Sequence, residues 1–273
     1  MAAFSFINAQ TPVSSKLNGT MSAAELNERM TKAFGNYVVP TTSTAVELHK
    51  VTYTSLDAKN KKVNLTGLVV MPVGGAPKGL VVYCHGTTVD RDRSPSKFTG
   101  KGEAPETIEA ITAFATGGYA VILPDYLGLG DHKAAHPYPL NNLNARSGMD
   151  MISAARAFAR KSKYTIAKPL YITGYSEGGG VAMALTRQLQ SYMNEDFQVT
   201  RSAPASGPYD LSGTTRTFML EETGEQVGFI LRLYLMSYAT IYLRAEQGRK
   251  LTEFYKPVLA NALFLKYGTG PSD

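Results

Sequence analysis

The 273-residue sequence holds a single cysteine, Cys84, no tryptophan and only four histidines. A lone cysteine cannot close an intramolecular disulfide, and no Cys pair is present to start a zinc or thioredoxin-type motif, which argues against redox chemistry. Charged residues make up only 18% of the chain, with 25 Gly and 14 Pro against 44% hydrophobic residues, a balance that excludes a disordered tail, a collagen and a coiled coil. Long apolar runs are missing as well. The longest, Val227 to Leu243, is broken by Arg232 and is short for a bilayer crossing, so it is expected to form a buried or amphipathic helix and no membrane span is predicted. The net charge of +6 is spread thinly. Its densest clusters, Lys59-Asn60-Lys61-Lys62 and Arg160-Lys161-Ser162-Lys163, are too short to argue for a nucleic-acid partner and read as a solvated, mildly basic surface.

What is present suits one large globular domain, long enough to bury roughly three quarters of its unfolded surface without disulfides or metals. Residues 1–45 read as an N-terminal extension. Within it Ala2 to Gln10 has the apolar-then-small character of the end of a secretory signal, though the basic start is lacking, and this suggests a clipped leader or a frayed end. Ser22 stands three residues before Glu25 as a capping box, predicting a helix to Phe34. From residue 46 the pattern changes. Val46 to Leu56 and Val63 to Met71 show β-branched alternation around the polar Asp57 to Lys61, as in an antiparallel hairpin.

Three short continuous apolar runs follow, Gly79 to Cys84, Tyr119 to Leu123 and Pro169 to Thr173, each expected of a strand buried on both faces of a mostly parallel sheet. Helical patterns at Glu106 to Thr116, Ala145 to Arg160 and Glu177 to Met193 separate or follow them, and Phe197 to Ala203 supplies one more strand. The alternation predicts an α/β fold. The core is set at residues 46–211, and the helix-rich, aromatic sequence from 212 to 273 reads as a helical cap or lid.

Chemistry concentrates at Gly174-Tyr175-Ser176-Glu177-Gly178, a G-x-S-x-G placed directly after a buried strand and directly before an amphipathic helix. That context sets Ser176 at the apex of a turn too tight for larger neighbours, as a nucleophile requires; an idle serine in a Gly-rich turn is the alternative. Acyl transfer also needs oxyanion donors. The N–H of Glu177 is one, and the loop His85-Gly86-Thr87-Thr88 would give a second from Thr87 or Thr88. Other motifs fail: Gly128-Leu129-Gly130 has Lys133 where a dinucleotide fingerprint needs glycine, and Gly100-Lys101 lacks the rest of a P-loop. His132 and His136 lie four apart but precede or abut Pro137 with no third ligand, so neither metal nor other cofactor is predicted.

Taken together, the hairpin, the strand ending in His85-Gly86, the strand ending in Pro124-Asp125 and the elbow at Ser176 resemble the α/β-hydrolase superfamily. The run Pro124-Asp125-Tyr126-Leu127-Gly128-Leu129-Gly130, with His136-Pro137-Tyr138 and Gly174-Tyr175-Ser176-Glu177-Gly178-Gly179, resembles the secretory lipase family and its bacterial esterase relatives. The resemblance spans residues 46 to 215. It implies a carboxylic ester hydrolase acting through an acyl-enzyme on Ser176, with Ser212 to Tyr267 as much of a helical cap. Phe229 to Leu243 would then favour hydrophobic acyl chains or be simply a core helix. Small-molecule or lipid esters are the expected substrates, and a secreted or periplasmic location is expected, with the cytoplasm left open.

One departure stands out. The superfamily orders serine, acid, histidine, but His49, His85, His132 and His136 all precede Ser176. Three expectations compete. The sequence is a fragment whose acid and base lie on a further segment or companion chain; or His132 or His136, after Asp131 on a loop leaving a strand's carboxyl end, acts as an upstream base; or the chain is an inactive binding or assembly subunit. Asp210 is the candidate acid, with turn capping as its ordinary role. A peptidase or acyltransferase could use the same elbow. The superfamily's last two strands, which deliver the acid and the base, are expected to be missing from this sequence, and the edge this would uncover at Phe197 to Ala203 predicts a homodimer, a swapped assembly or a companion C-terminal fragment.

Overall fold

Apolar side chains in the central strands alternate between two separate cores, and that alternation sets the layering. The computed structural model describes residues 14–253, apart from 36, 38–40, 103, 193 and 221–225, together with 256 and 257. The expected leader remnant, Ala2 to Gln10, and the part of the expected cap from 258 to 267 lie outside the described residues.

Seven strands form one sheet: β1 (Ser14–Met21), β2 (Val46–Leu56), β3 (Lys62–Pro72), β4 (Leu80–Cys84), β5 (Ala120–Pro124), β6 (Leu170–Tyr175) and β7 (Val199–Ala205), in the order β1-β2-β3-β5-β4-β6-β7. β1 to β3 are an antiparallel meander, β3 meets β5 antiparallel, and β5, β4, β6 and β7 run parallel. The predicted mixed, mostly parallel α/β sheet and its hairpin are what is found. Helices α1 (Ala23–Phe34) and α2 (Pro105–Ala115) cover one face; α3 (Asn141–Lys161) and α4 (Glu177–Leu189) cover the other. Val81, Val121 and Leu123 face the first pair, while Leu80, Val82, Ala120 and Ile122 face the second. Each such Val, Leu or Ile side chain, removed from water, stabilises the fold by roughly 1.5–3 kcal/mol, which explains why β4 and β5 carry no charged residue.

The stretch expected as an extension before residue 46 adds β1 and α1 to this same sheet and core, with Met21 and Leu26 fully buried. β1 escapes a sequence reading because it is an edge strand of mostly polar residues with a bulge between Leu17 and Gly19. The capping box is present as predicted: the Glu25 N–H donates to Ser22 Oγ at 3.2 Å and the Ser22 N–H to Glu25 Oε2 at 2.7 Å. Beyond β7 come α5 (Thr214–Leu220) and α6 (Gln226–Gln247). α6 docks through Tyr238 and Ile241, which pack on Tyr138 and Val89. No helix among the described residues is long and apolar enough to cross a membrane.

Candidate active site

β4 and β6 lie side by side at the centre of the sheet, with Cys84 opposite Gly174, and both point their carboxyl ends at one crevice. The loop from β4 begins with His85-Gly86, and β6 runs directly into Ser176. Ser176 has φ 56° and ψ −122°, a conformation that L residues avoid, and is the residue from which α4 starts. Its N–H donates to the Ala205 carbonyl at 3.1 Å, while Gly179 and Gly180 N–H groups converge on its own carbonyl. The hydroxyl makes no cap hydrogen bond and is left half-buried at the crevice.

Both glycines of the motif are required by close approach. A β-carbon on Gly178 would collide with the Cys84 and His85 carbonyl oxygens, and one on Gly174 would press on Gly178 and on the Cys84 carbonyl. The strand-to-helix turn is therefore clamped between β4 and α4. The N–H of Glu177, first in the helix, has no intrahelical acceptor and is free to serve an oxyanion.

Ser176 opens into a cavity of about 550 Å³ lined by Tyr138, Pro208, Leu211, Leu235 and Met236 among others. The wall is mostly apolar, with Arg216 its cation, and the α6 residues from Leu235 onward supply the cap side. Thr87 and Thr88 are not part of that wall. Thr87 hydrogen-bonds the side chain of Tyr138, which is, and the Thr88 carbonyl accepts the Tyr238 hydroxyl at 2.9 Å. The root of their loop is held by Glu106, whose Oε1 accepts from the Gly86 N–H at 2.7 Å and the Tyr83 hydroxyl at 3.0 Å. Glu106 was unmarked in the sequence, since its partners lie 20 residues or more away.

Each of the four histidines is engaged by groups other than the Ser176 hydroxyl. His136 is buried with both nitrogens engaged, Nδ1 by the Leu127 carbonyl at 2.8 Å and Nε2 by Glu177 Oε1 at 2.6 Å, so the structure does not offer it as the upstream base. His132 accepts the Gly128 N–H through Nδ1 and lines a different cavity with Asp57 and Tyr242; burial, then the Arg91 charge, lowers its pKa. His85 Nδ1 meets the Gly86 carbonyl at 2.8 Å, a loop-shaping role, and His49 pairs with Glu47. Asp210 caps the start of α5, accepting from the Gly213 and Thr214 N–H groups at 2.9 and 3.0 Å, and these donors lower its pKa. That is the turn-capping role, and it leaves the carboxylate no histidine to orient. Cys84 is fully buried with its thiol pushed up to about 12, so it is no competing nucleophile. Among the described residues no three His, Cys, Asp or Glu side chains gather as metal ligands.

The fold and elbow find counterparts among known proteins. The family model of the secretory lipases matches residues 95–225, a span that includes Asp125, His136 and the whole elbow. A putative hydrolase from Legionella pneumophila superposes with a TM-score of 0.82 at 27% identity, over 95% of this chain and 68% of that one. The rice cell wall degrading esterase LipA from Xanthomonas oryzae gives 0.76 at 25% identity, over 95% and 67%. This chain has an α/β-hydrolase fold and resembles the secretory lipases. The chain shares the fold alone with lipase A of Candida antarctica, at 14% identity and a TM-score of 0.59 over 97% of this chain and 56% of that one. No curated protein matches it. The family match together with the esterase neighbours supports a carboxylic ester hydrolase.

Proposed function

We propose that this chain cleaves carboxylic esters through a covalent acyl-enzyme on Ser176. The observation that carries this reading is the Ser176 hydroxyl, unbonded at the helix cap, held by a positive-φ turn at the mouth of a largely apolar 550 Å³ cavity. In the first step Ser176 Oγ bonds to the ester carbonyl carbon as its proton passes to a general base, and the carbonyl oxygen takes the negative charge. That oxyanion falls to the Glu177 N–H, with Thr87 or Thr88 as second donor. The tetrahedral species then collapses by breaking the bond to the alcohol oxygen, which leaves with a proton, and water repeats the sequence to free the acid. The placement of His49, His85, His132 and His136 supports none of them as the base.

The apolar wall favours medium acyl chains, small-molecule or lipid in origin, over sugars or peptides. Secretion is consistent with the description of the matched family. Turnover of p-nitrophenyl acetate, butyrate and octanoate beside the matching anilides tests this reading. Faster ester than anilide cleavage, rising from acetate to butyrate and lost in Ser176→Ala, is expected; equal turnover in Ser176→Ala would refute it. The outer edge of β7, which pairs with no strand among the described residues, supports association with a second chain. Sedimentation should then give a mass above the 29.5 kDa of one chain.

A further inference from the structure

Directly after Ser176 the sequence places a carboxylate that the fold buries. Glu177 is 2% exposed, and burying a carboxylate costs several kcal/mol unless it is paired and hydrogen-bonded. Its Oε1 meets His136 Nε2 at 2.6 Å and accepts from Asn144 Nδ2 at 3.2 Å, while its Oε2 has no partner. At its other nitrogen His136 can only donate, because the Leu127 carbonyl only accepts. The Nε2 and the Glu177 carboxyl therefore hold one proton between them, and neither ring nitrogen is free to take the Ser176 proton.

What the pair holds in place is the peptide that follows the nucleophile. The Glu177 side chain is three bonds long and is fixed at its far end by α3 through Asn144 and by the loop after β5 through His136. The cap side closes the arrangement. Tyr238 of α6 stacks on the His136 ring at 5.7 Å between centroids, and its hydroxyl bonds the Thr88 carbonyl in the loop expected to hold the second oxyanion donor.

We propose that His136 is a positioning residue: its buried hydrogen bond to the Glu177 carboxyl fixes the Glu177 peptide N–H where it meets the oxyanion formed at Ser176. The proposal rests on the ester-hydrolase reading above. Removing an oxyanion donor outright costs about 10²–10³ in rate, so a donor left present but misaligned is expected to cost about 10–100-fold.

The test compares wild type with His136→Phe, Glu177→Met and Glu177→Gln, by the second-order rate constant for fluorophosphonate labelling and by kcat and KM for p-nitrophenyl butyrate. Rates are referred to the active sites counted at the labelling end point, under conditions where each variant's denaturation curve lies on its folded baseline, so a loss of stability does not mimic the effect. His136→Phe and Glu177→Met should label and turn over about 10–100-fold more slowly with KM within about threefold. Glu177→Gln, which still offers an oxygen to His136, should recover most of the loss seen in Glu177→Met. If His136→Phe does not accumulate, Glu177→Met decides. Wild-type labelling in Glu177→Met, or no recovery in Glu177→Gln, overturns the proposal while leaving the ester-hydrolase reading intact. Absence of labelling in wild type removes that reading and this inference with it.

Discussion

The backbone at Ser176 offers a test of the elbow that needs no substrate. With φ at 56° and ψ at −122°, this residue sits where an L side chain is strained and glycine is not. A non-Gly residue in such a region costs about 1–3 kcal/mol. Ser176→Gly removes that cost but adds roughly 0.5–1 kcal/mol of chain entropy to the unfolded state. Ser176→Ala loses the same hydroxyl and keeps the strain, so the difference between the two variants isolates the backbone. The Gly variant should be more stable than the Ala variant by about 1 kcal/mol, or roughly 2–4 °C in Tm for a domain of this size. Paired thermal scans and urea titrations measure it, with both variants inactive. An Ala variant equal to or more stable than the Gly variant would show that the turn stores no strain, and the reading of Ser176 as a tightly held nucleophile would lose its physical basis.

Gly178→Ala would drive a β-carbon into the Cys84 backbone carbonyl, which cannot swing aside, so we expect a loss of about 3 kcal/mol, read from the urea midpoint; a shift under about 1 kcal/mol would mean that β4 and α4 are not clamped together. Asp125 is fully buried, takes the Ser96 N–H at 2.8 Å and the Thr66 hydroxyl at 2.6 Å, and has its pKa raised by burial. Asp125→Ala strands both donors and should cost about 2–5 kcal/mol by denaturation, far more than a surface substitution. Asp131 is paired with Lys50 at 2.6 Å and Lys97 at 2.8 Å, hydrogen bonds that lower its pKa below the unfolded value. Its contribution is therefore present at neutral pH and lost as pH falls below about 4. Because its side chain is about half exposed, that contribution is about 0.5–1 kcal/mol, and Asp131→Asn should flatten the acid limb of a stability-against-pH curve by that amount; an unchanged limb would contradict it.

The sheet was legible because its central strands are continuous apolar runs, and the runs at Leu80, Ala120 and Leu170 lie within two residues of where the periodicity puts them. α4 was equally plain at its start, where the elbow fixes the first residue, but ends at Leu189 rather than Met193 because Gln190 to Ser191 turn away. α3 begins at Asn141, ahead of Ala145, since Asn141, Asn142 and Asn144 carry no apolar period. β1 was hidden for the opposite reason: its cohesion comes from pairing with β2 and from the Asn18 amide reaching the Ser96 and Phe98 carbonyls, none of which leaves a local pattern. At the site the nucleophile and its glycines could be read directly, because their spacing is dictated by one tight turn. The partner of His136 could not. Glu177 lies 41 residues away, and only the folded sheet brings the loop after β5 to the first turn of α4.

The central claim is an activated Ser176, and intact-mass spectrometry before and after a fluorophosphonate probe tests it most directly. The account predicts one adduct per chain in wild type and none in Ser176→Ala. A folded wild-type chain that gains no mass, or an adduct that persists in Ser176→Ala, would contradict it.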